Sequence, residues 1–328
     1  MIRLYFLQAF YHLRENPIIT WVSILGTAMA ICMIMVLVIT FQVRLVDCEP
    51  EVNRSRTLYV PYMSVKQKGK SDNESANASM SVRTGRECFR ALSMPEAVTL
   101  ASGVYRVRAS VPSGSKATAD MVQTDEAFWT IFSFHFLSGA AFTKADCDAG
   151  LTRAVLDATT ARKLFGTTDA VGRTVQLDYV DYTVAGVVAD VSMLATAAYA
   201  QIWVPYTAAG ADAMSWRDDT MGPMHAIILA RSSADFDAIR EETELLRKKY
   251  NDGLQDVEVF YRGQPDTQLA YLYRRWYAEP DVPGVMLRYA IVVIILLLVP
   301  AVNLSGMTLS RMRRPVSYTH LTLPTKLE

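Results

Sequence analysis

The chain has 328 residues, with 33 basic and 33 acidic side chains and a formal net charge of zero. This balance argues against a nucleic-acid-binding protein, because such proteins need an excess of basic residues on one surface. The mean hydropathy of +0.14 is high for a soluble protein. The hydrophobic excess is concentrated in two stretches, which indicates a membrane protein rather than a soluble enzyme.

The first stretch follows a short amphipathic segment, residues 1–17. Two interpretations of that segment stay open, a helix in the membrane interface or the cytoplasmic end of the next helix. Residues 18–43 then contain no charged side chain. This uncharged run is longer than the ~20 residues that a helix needs to cross a bilayer, and it is also longer than the apolar part of a cleaved signal peptide. We predict transmembrane helix 1 over 18–43, with Gly26 and Ala30 as a small-xxx-small packing face.

The second stretch, residues 289–310, is also uncharged and predicts transmembrane helix 2. Pro300 lies within it and is a candidate hinge. Arginines follow at once in the tail, residues 311–328. By the positive-inside rule they place both termini in the cytoplasm and residues 44–285 outside it. The expected location is therefore the inner or plasma membrane, as a multi-pass protein.

The region between the spans has the pattern of an α+β domain with two similar halves. In the first half, residues 57–111, alternation predicts strands at 57–62 and 104–111. A capping box at Ser93–Glu96 predicts a helix between these strands, closed by Gly103. Residues 66–78 have the composition of a mobile polar loop.

The second half, residues 225–262, repeats the order strand, helix, strand, with the helix over 234–250. The segment between the halves, residues 114–222, reads as a strand-rich insertion. Its predicted elements are strands near 153–156, 174–177, 182–191 and 202–206, and a helix over 158–164 that ends at Phe165-Gly166.

Several motifs follow one another in a distinctive order along the chain. They are Leu13-Arg14-Glu15-Asn16-Pro17, Ile24-Leu25-Gly26, Asp125, Phe128, Phe132, Phe134, Gly139, Ala161-x-x-Leu164-Phe165-Gly166, Val171-Gly172, Tyr182-x-Val184-x-Gly186-Val187-x-x-Asp190 and Asn303-Leu304-Ser305-Gly306-Met307. This series resembles the MacB/FtsX-like permeases of ABC transporters, and the resemblance covers about residues 1–314.

The resemblance implies an extracytoplasmic porter-like α+β domain with a strand-rich insertion, and four transmembrane helices, two of which are present here. It also implies a separate or fused cytosolic ATPase, whose closing motion the permease carries to the outer domain. We expect the ATPase contact at Arg311, Met312, Arg313 and Arg314. Residues 315–328 depart from the family pattern, and we expect them to be non-native sequence after a truncation.

Catalytic motifs are absent from the sequence: there is no Walker A pattern, HExxH, GxSxG or dinucleotide fingerprint. The four histidines are scattered, and the four cysteines form no CxxC. We therefore predict no catalytic site, no metal site and no cofactor. Residues 274–277, Arg-Arg-Trp-Tyr, are expected at the outer membrane interface.

The leading functional prediction is the non-enzymatic membrane subunit of an ABC-type transporter, acting in efflux or in export of a lipoprotein or peptide. Its expected partners are the cytosolic ATPase, membrane lipid, a second permease copy and an outer or periplasmic protein, with no nucleic acid. Two alternatives stay open. One is a two-span extracytoplasmic sensor, and the other is an FtsX-type regulator of cell-wall hydrolases.

Overall fold

A computed structural model describes residues 17–112, 114–275 and 278–312. The chain divides into two compact units. The helical unit comprises the described parts of residues 1–42 and 281–328, and the core unit is Val43–Pro280. The predicted amphipathic segment lies almost wholly outside the described residues, which begin at Pro17.

Two long helices account for the apolar stretches. Helix α1 is Pro17–Leu45, and helix α8, the last one among the described residues, is Val282–Met312. Their apolar parts, Thr20–Leu45 and Val282–Val302, are long enough to cross a membrane, and almost none of their residues is buried. Exposure of this kind fits a lipid-facing helix better than the core helix of a soluble protein, since water would penalise so much apolar surface.

The elements of the core unit are strands and helices, and most of the helices are short. In chain order they are β1 (Thr57–Val60), β2 (Met63–Gln67), β3 (Ala76–Ala78), α2 (Val82–Gly85), β4 (Ala97–Ser102), β5 (Tyr105–Ser110), β6 (Lys116–Thr124), α3 (Phe128–Ile131), β7 (Phe136–Gly139), α4 (Lys144–Asp148), β8 (Arg153–Asp157), α5 (Ala158–Phe165), β9 (Thr174–Leu177), β10 (Val180–Val188), β11 (Ile202–Pro205), β12 (Met224–Leu229), α6 (Phe236–Gly253), β13 (Val257–Phe260), β14 (Asp266–Thr267) and α7 (Gln268–Tyr273).

These strands form three sheets. One has the order β14-β1-β12-β4, and a smaller one has the order β13-β2-β3. The largest has the order β7-β10-β8-β11-β6-β5-β9, and β9 also pairs with β10, so six of its strands close into a barrel. Closure leaves those strands without a free edge, which protects them from pairing with another chain.

Alternate side chains along the strands point into different hydrophobic cores. Along β12, Ala226 and Ile228 face a core shared with α6 and the smallest sheet, whereas Ile227 and Leu229 face the aromatic residues of the largest sheet. The four-stranded sheet is therefore covered on both faces, which explains why β1 is buried at every position. Every second residue of the barrel strands faces a third core inside the barrel.

The predicted helix between Ser93 and Gly103 is wrong, because this segment contains strand β4, paired along its length with β12. The capping box does not form. The Ser93 hydroxyl donates to Glu242 at 2.6 Å, and Glu96 forms an ion pair with Arg56. Tertiary partners thus take both groups that would have capped a helix.

The predicted loop over 66–78 is also corrected. Its end forms strand β3, which pairs with β2, so that Met63 lies opposite Ala78. Arg262 secures this hairpin by donating to the Ser64 and Ser75 hydroxyls. The strand predicted at 104–111 forms as β5, and it pairs in the barrel with β6 and β9. The boundaries of the two halves and the insertion stay a prediction.

Candidate functional site: two buried arginine clusters

A buried arginine lies in each of the two chain segments that lead from the core unit to a long helix. Arg54 is 2% exposed, and it stands in the short 3-10 turn before β1. Arg274 is 9% exposed, and it follows α7. Buried arginines are rare in proteins unless they are fully paired, so these two positions are the strongest candidates for a site.

The Arg54 cluster comprises Arg54, Glu51 and the backbone groups that they bind. The guanidinium donates through Nε to Glu51 at 2.6 Å, and through Nη1 to the carbonyls of Val43 and Val46 at 2.9 and 2.8 Å. Its Nη2 donates to the carbonyl of Leu194 at 2.9 Å. Val43 and Val46 bracket the end of α1, where helix carbonyls lack a partner within the helix. Arg54 therefore caps α1 with a charge of the favourable sign.

Glu51 completes this cluster. It is 1% exposed, and its second carboxylate oxygen accepts from the amides of Ala197 and Ala198 at 2.8 and 3.0 Å. The pair thus ties the end of α1 to residues 194–198, which are distant in sequence. Removing either partner would leave a buried charge without compensation, which typically costs about 3–5 kcal/mol.

The Arg274 cluster comprises Arg274, Asp266 and two backbone carbonyls. Arg274 binds the Asp266 carboxylate in a bidentate manner, through Nε and, at 2.8 Å, through Nη2. It also donates to the carbonyls of Ala278 and Arg262, each at 3.1 Å. Burial raises the pKa of the Asp266 carboxyl, and the adjacent guanidinium opposes that rise. The cluster holds the chain just before it reaches α8.

Strand β1 and α7 connect the two clusters. Asp266 of β14 lies opposite Tyr59 of β1, and the rings of Tyr59 and Tyr271 stack at 4.5 Å. Gln268 donates to the carbonyl of Arg44, in the last turn of α1, at 3.0 Å. The two segments that leave the core unit are therefore bonded to each other, and each is also held by its own arginine.

A cavity of about 140 Å³ lies beside this connection, lined by Tyr59, Thr196, His225 and Tyr271 among others. Among the described residues, the buried Tyr59 hydroxyl has no hydrogen-bond partner. His225 contacts the Ser79 hydroxyl at 2.8 Å, and its burial lowers its pKa to about 4. The histidine is therefore neutral at physiological pH, and it adds no charge to this cavity.

The residues predicted from the sequence fall elsewhere. Gly26 and Ala30 lie in α1, where Ala30 is 4% exposed and Gly26 is half-buried. Pro300 lies inside α8, which continues past it. Arg311 and Met312 are in the last turn of α8, whereas Arg313 and Arg314 lie outside the described residues. Their predicted roles in helix packing, hinge motion and ATPase contact stay predictions.

The two arginine clusters themselves were missed by the sequence patterns. The side chain of Arg274 is buried against Asp266, and the expected position of residues 274–277 at the outer membrane interface stays a prediction. Glu51 and Arg54, three residues apart directly after a predicted span, were a local signal that the patterns left unused. No local sequence pattern indicates the contacts of Arg54 with Leu194 and of Glu51 with Ala197, because each contact joins segments that are distant in the chain.

The family motif residues have structural roles in the barrel and its flanks. Gly139 of β7 has φ +65, and an added Cβ there would lie 2.2 Å from the Ala185 carbonyl oxygen. It lies opposite Gly186 of β10, where a Cβ would be 2.6 Å from the Ala140 carbonyl oxygen. Only glycines permit this close approach of two strands.

Acidic motif residues fix loops rather than a reactive centre. Asp190 accepts from the backbone amide and the hydroxyl of Thr159, each at 2.8 Å. Asp125 is 2% exposed and accepts from Arg90, Thr99 and the amide of Leu100. Its burial raises its pKa to about 6. Each carboxylate is thus occupied by several donors that hold the backbone in place.

Within the described ranges, no group of three or more His, Cys, Asp or Glu side chains is arranged to hold a metal ion. The four cysteines are free, with Cys88 and Cys147 buried and Cys32 and Cys48 exposed. The two ion pairs bind backbone groups of separate segments, and this arrangement supports mechanical connection.

Comparison with known proteins points to one family. The family described as "MacB-like periplasmic core domain" matches residues 20–246. No curated protein matches the chain significantly.

Several solved structures are similar to the chain. The extracellular domain of the noncanonic ABC-type transporter YknZ from Gram-positive bacteria is 16% identical, with 61% of this chain and 99% of that one covered, at a TM-score of 0.43. The periplasmic region of MacB from Actinobacillus actinomycetemcomitans is 16% identical, with 62% of this chain and 90% of that one covered, at a TM-score of 0.44. A domain of a putative permease protein from Porphyromonas gingivalis is 17% identical, with 72% of this chain and 97% of that one covered, at a TM-score of 0.49.

Proposed function

Because the chain belongs to the MacB-like periplasmic core domain family of ABC transporter permeases, we propose that it couples ATP hydrolysis by a partner ATPase to movements of its extracytoplasmic domain. In this role the core unit is the moving part and α1 and α8 transmit the motion. The work done is efflux, or export of a lipoprotein or peptide, without passage of cargo through a channel between the helices.

One observation carries the proposal: a buried arginine, bonded to a carboxylate and to backbone carbonyls, holds the chain at each point where the core unit continues into a long helix. A displacement travels along a chain only where the connection resists deformation. A surface loop would absorb it, because surface loops are held by few contacts. At Arg54 and Arg274, slippage would leave buried charges and carbonyls unpaired, and that penalty makes both connections stiff.

The orientation of the protein is part of the proposal. The arginines after Ser310 favour cytoplasmic termini, with residues 44–285 outside the cytoplasm of the inner or plasma membrane. The ATPase then contacts the end of α8, at Arg311–Arg314. A second permease copy and an outer or periplasmic protein are further proposed partners, and the protein itself has no catalytic role.

The test uses the full-length permease, co-expressed with its ATPase and reconstituted in lipid nanodiscs. Two fluorophores on the core unit report ATP-dependent changes of distance. We expect such changes in the native protein. We also expect their loss, with ATP hydrolysis retained, in the double variant Glu51→Leu/Arg54→Met, because replacing both partners removes the clamp and leaves no buried charge.

The exposed ion pair Lys144–Asp148 supplies the matched control, and Lys144→Ala should leave the distance changes intact. Alanine substitution of the arginines at 311, 313 and 314 should weaken co-purification of the ATPase. A core unit whose distances ignore ATP in the native complex would contradict the proposal. Activation of a cell-wall hydrolase without any exported cargo would instead favour the FtsX-type alternative.

A further inference from the structure

Exposed apolar side chains surround the Arg54 cluster, on the part of the core unit where α1 ends. Met193 is 72% exposed, Leu194 is 48% exposed and Val46 is 58% exposed. We call these three residues the apolar tip. Large hydrophobic side chains grouped at one place on a surface generally mark a contact with a membrane or a partner.

One side chain brings the apolar tip together. The Arg54 guanidinium binds the carbonyl of Val46 through Nη1 and the carbonyl of Leu194 through Nη2. The backbones of residues 46 and 194 are therefore bonded to one guanidinium, although they are distant in sequence. The same Nη1 binds the carbonyl of Val43 in the last turn of α1. The backbone of the tip thus shares this guanidinium with the last turn of α1.

The backbone of the tip is well fixed. The amide of Leu194 donates to the Ser192 hydroxyl at 3.2 Å, and the amide of Ala195 donates to the Ser192 carbonyl at 2.9 Å. Ala195 is fully buried in the core, and the amides of residues 197 and 198 bind Glu51. Met193 and Leu194 are therefore held outward by a turn that is bonded on both sides.

The length of α1 indicates what covers the tip. Residues 18–43 have no charge and exceed the ~20 residues that span the hydrocarbon core, so the last turn of α1 reaches the polar boundary of the bilayer. Apolar side chains at that depth lie among headgroups and the first methylene groups of the lipids. Asp47, which follows Val46 in the chain, has both of its carboxylate oxygens engaged by Ser55.

We propose that the apolar tip, Val46, Met193 and Leu194, inserts into the lipid interface and is a membrane contact of the core unit. Its occupant is the phospholipid surface around α1. This contact would hold the Arg54 cluster at a fixed depth, so that residues 192–198 follow the end of α1. The inference requires only that α1 crosses a membrane, and it is independent of ATP, cargo and orientation.

The experiment places a fluorescent probe on the tip in the full chain, reconstituted in phosphatidylcholine and phosphatidylglycerol vesicles. The exposed cysteines are first removed by Cys32→Ser and Cys48→Ser. The variant Met193→Cys then carries an environment-sensitive dye. The matched control is Met214→Cys, another exposed methionine, at 50%, in a different loop. Quenching by doxyl-labelled lipid is compared with quenching by aqueous iodide.

We expect the ratio of lipid quenching to iodide quenching to be at least about fivefold higher at position 193 than at position 214, because the interface excludes iodide and contains the labelled lipid. Equal ratios at the two positions would overturn the proposal. Efficient disulfide formation between two copies of the unlabelled Met193→Cys variant would also overturn it, since the tip would then be covered by a second copy.

Discussion

Replacing Arg274 tests whether its cluster holds the chain before α8. The variant Arg274→Met removes the bidentate ion pair with Asp266 and the bonds to the carbonyls of Ala278 and Arg262. Methionine keeps much of the aliphatic volume, so the packing loss is small. The main consequence is that the buried Asp266 carboxylate loses its counter-charge.

The expected loss is that of breaking a buried pair from one side, about 3–5 kcal/mol in the free energy of unfolding. For a unit of this size, each kcal/mol lowers the melting temperature by roughly 2–4 °C, so the total shift is roughly 6–20 °C. The double variant Arg274→Met/Asp266→Leu should recover most of this loss, because no buried charge remains.

The pH dependence distinguishes this cause from a general packing defect. Burial already raises the pKa of Asp266, and removing Arg274 raises it further. A group with a raised pKa in the folded state favours folding at low pH, so the deficit of Arg274→Met should shrink as the pH falls toward 5. A packing defect would be independent of pH over the same range.

The assay is thermal unfolding of the full chain in detergent, followed by near-ultraviolet circular dichroism between pH 5 and 8. Lys144→Ala, at an exposed pair, serves as control and should shift the melting temperature by less than about 2 °C. An Arg274→Met variant that melts with the native protein at pH 8 would refute the reasoning. So would a deficit that the double variant fails to relieve.

Three further predictions concern the close approach of strands β7 and β10, a histidine and the cysteines. Gly139→Ala should destabilise the core unit by more than about 3 kcal/mol in chemical unfolding, because the new Cβ would lie 2.2 Å from the Ala185 carbonyl oxygen. Protonation of His225 should lower the free energy of unfolding by at most about 3 kcal/mol between pH 6.5 and 4, and His225→Gln should remove this loss. The free energy of unfolding of the variant should therefore depend less on pH over that range. Maleimide should label Cys48 in the folded protein and Cys88 only after unfolding, as mass spectrometry would show, since burial raises the pKa of the Cys88 thiol to about 12.

Controls for these predictions come from the same chain. Gly150 also has a positive φ, of +61, but nothing lies within 4 Å of an added Cβ, so Gly150→Ala should cost only about 1 kcal/mol for backbone strain. Equal costs at positions 139 and 150 would show that contact with the carbonyl is unimportant. If maleimide labelled Cys88 as fast as Cys48, the core that contains Cys88 would have to open readily in the folded protein.

The sign of the His225 effect follows from its lowered pKa, about 4. The neutral ring is favoured in the folded protein, so its stabilising effect is present above pH 6.5 and is lost as the pH falls. Asp125 acts in the opposite direction, because its raised pKa, about 6, favours folding on acidification. A native profile that is flat from pH 6.5 to 4 and is unchanged by His225→Gln would contradict the assignment.

Several elements could be predicted because their determinants are local. Helix α5 is confirmed between its Asp157 cap, which accepts from the amide of Thr160, and Gly166 in the left-handed conformation. Helix α6 is confirmed with Ile239, Thr243 and Tyr250 on its buried stripe. The predicted helix at Ser93 failed because the same residues found stronger partners in Glu242 and Arg56.

The sequence by itself determined the two apolar helices, the α+β character and the family, because these depend on runs, periodicities and motif order along the chain. Only the tertiary structure decided that Arg54 and Arg274 are buried ion pairs, because their partners come from segments that no local pattern connects. Burial changes the energetics of a charge: the same arginine contributes little at the surface, but it holds its segment in place once water is excluded and every donor is paired.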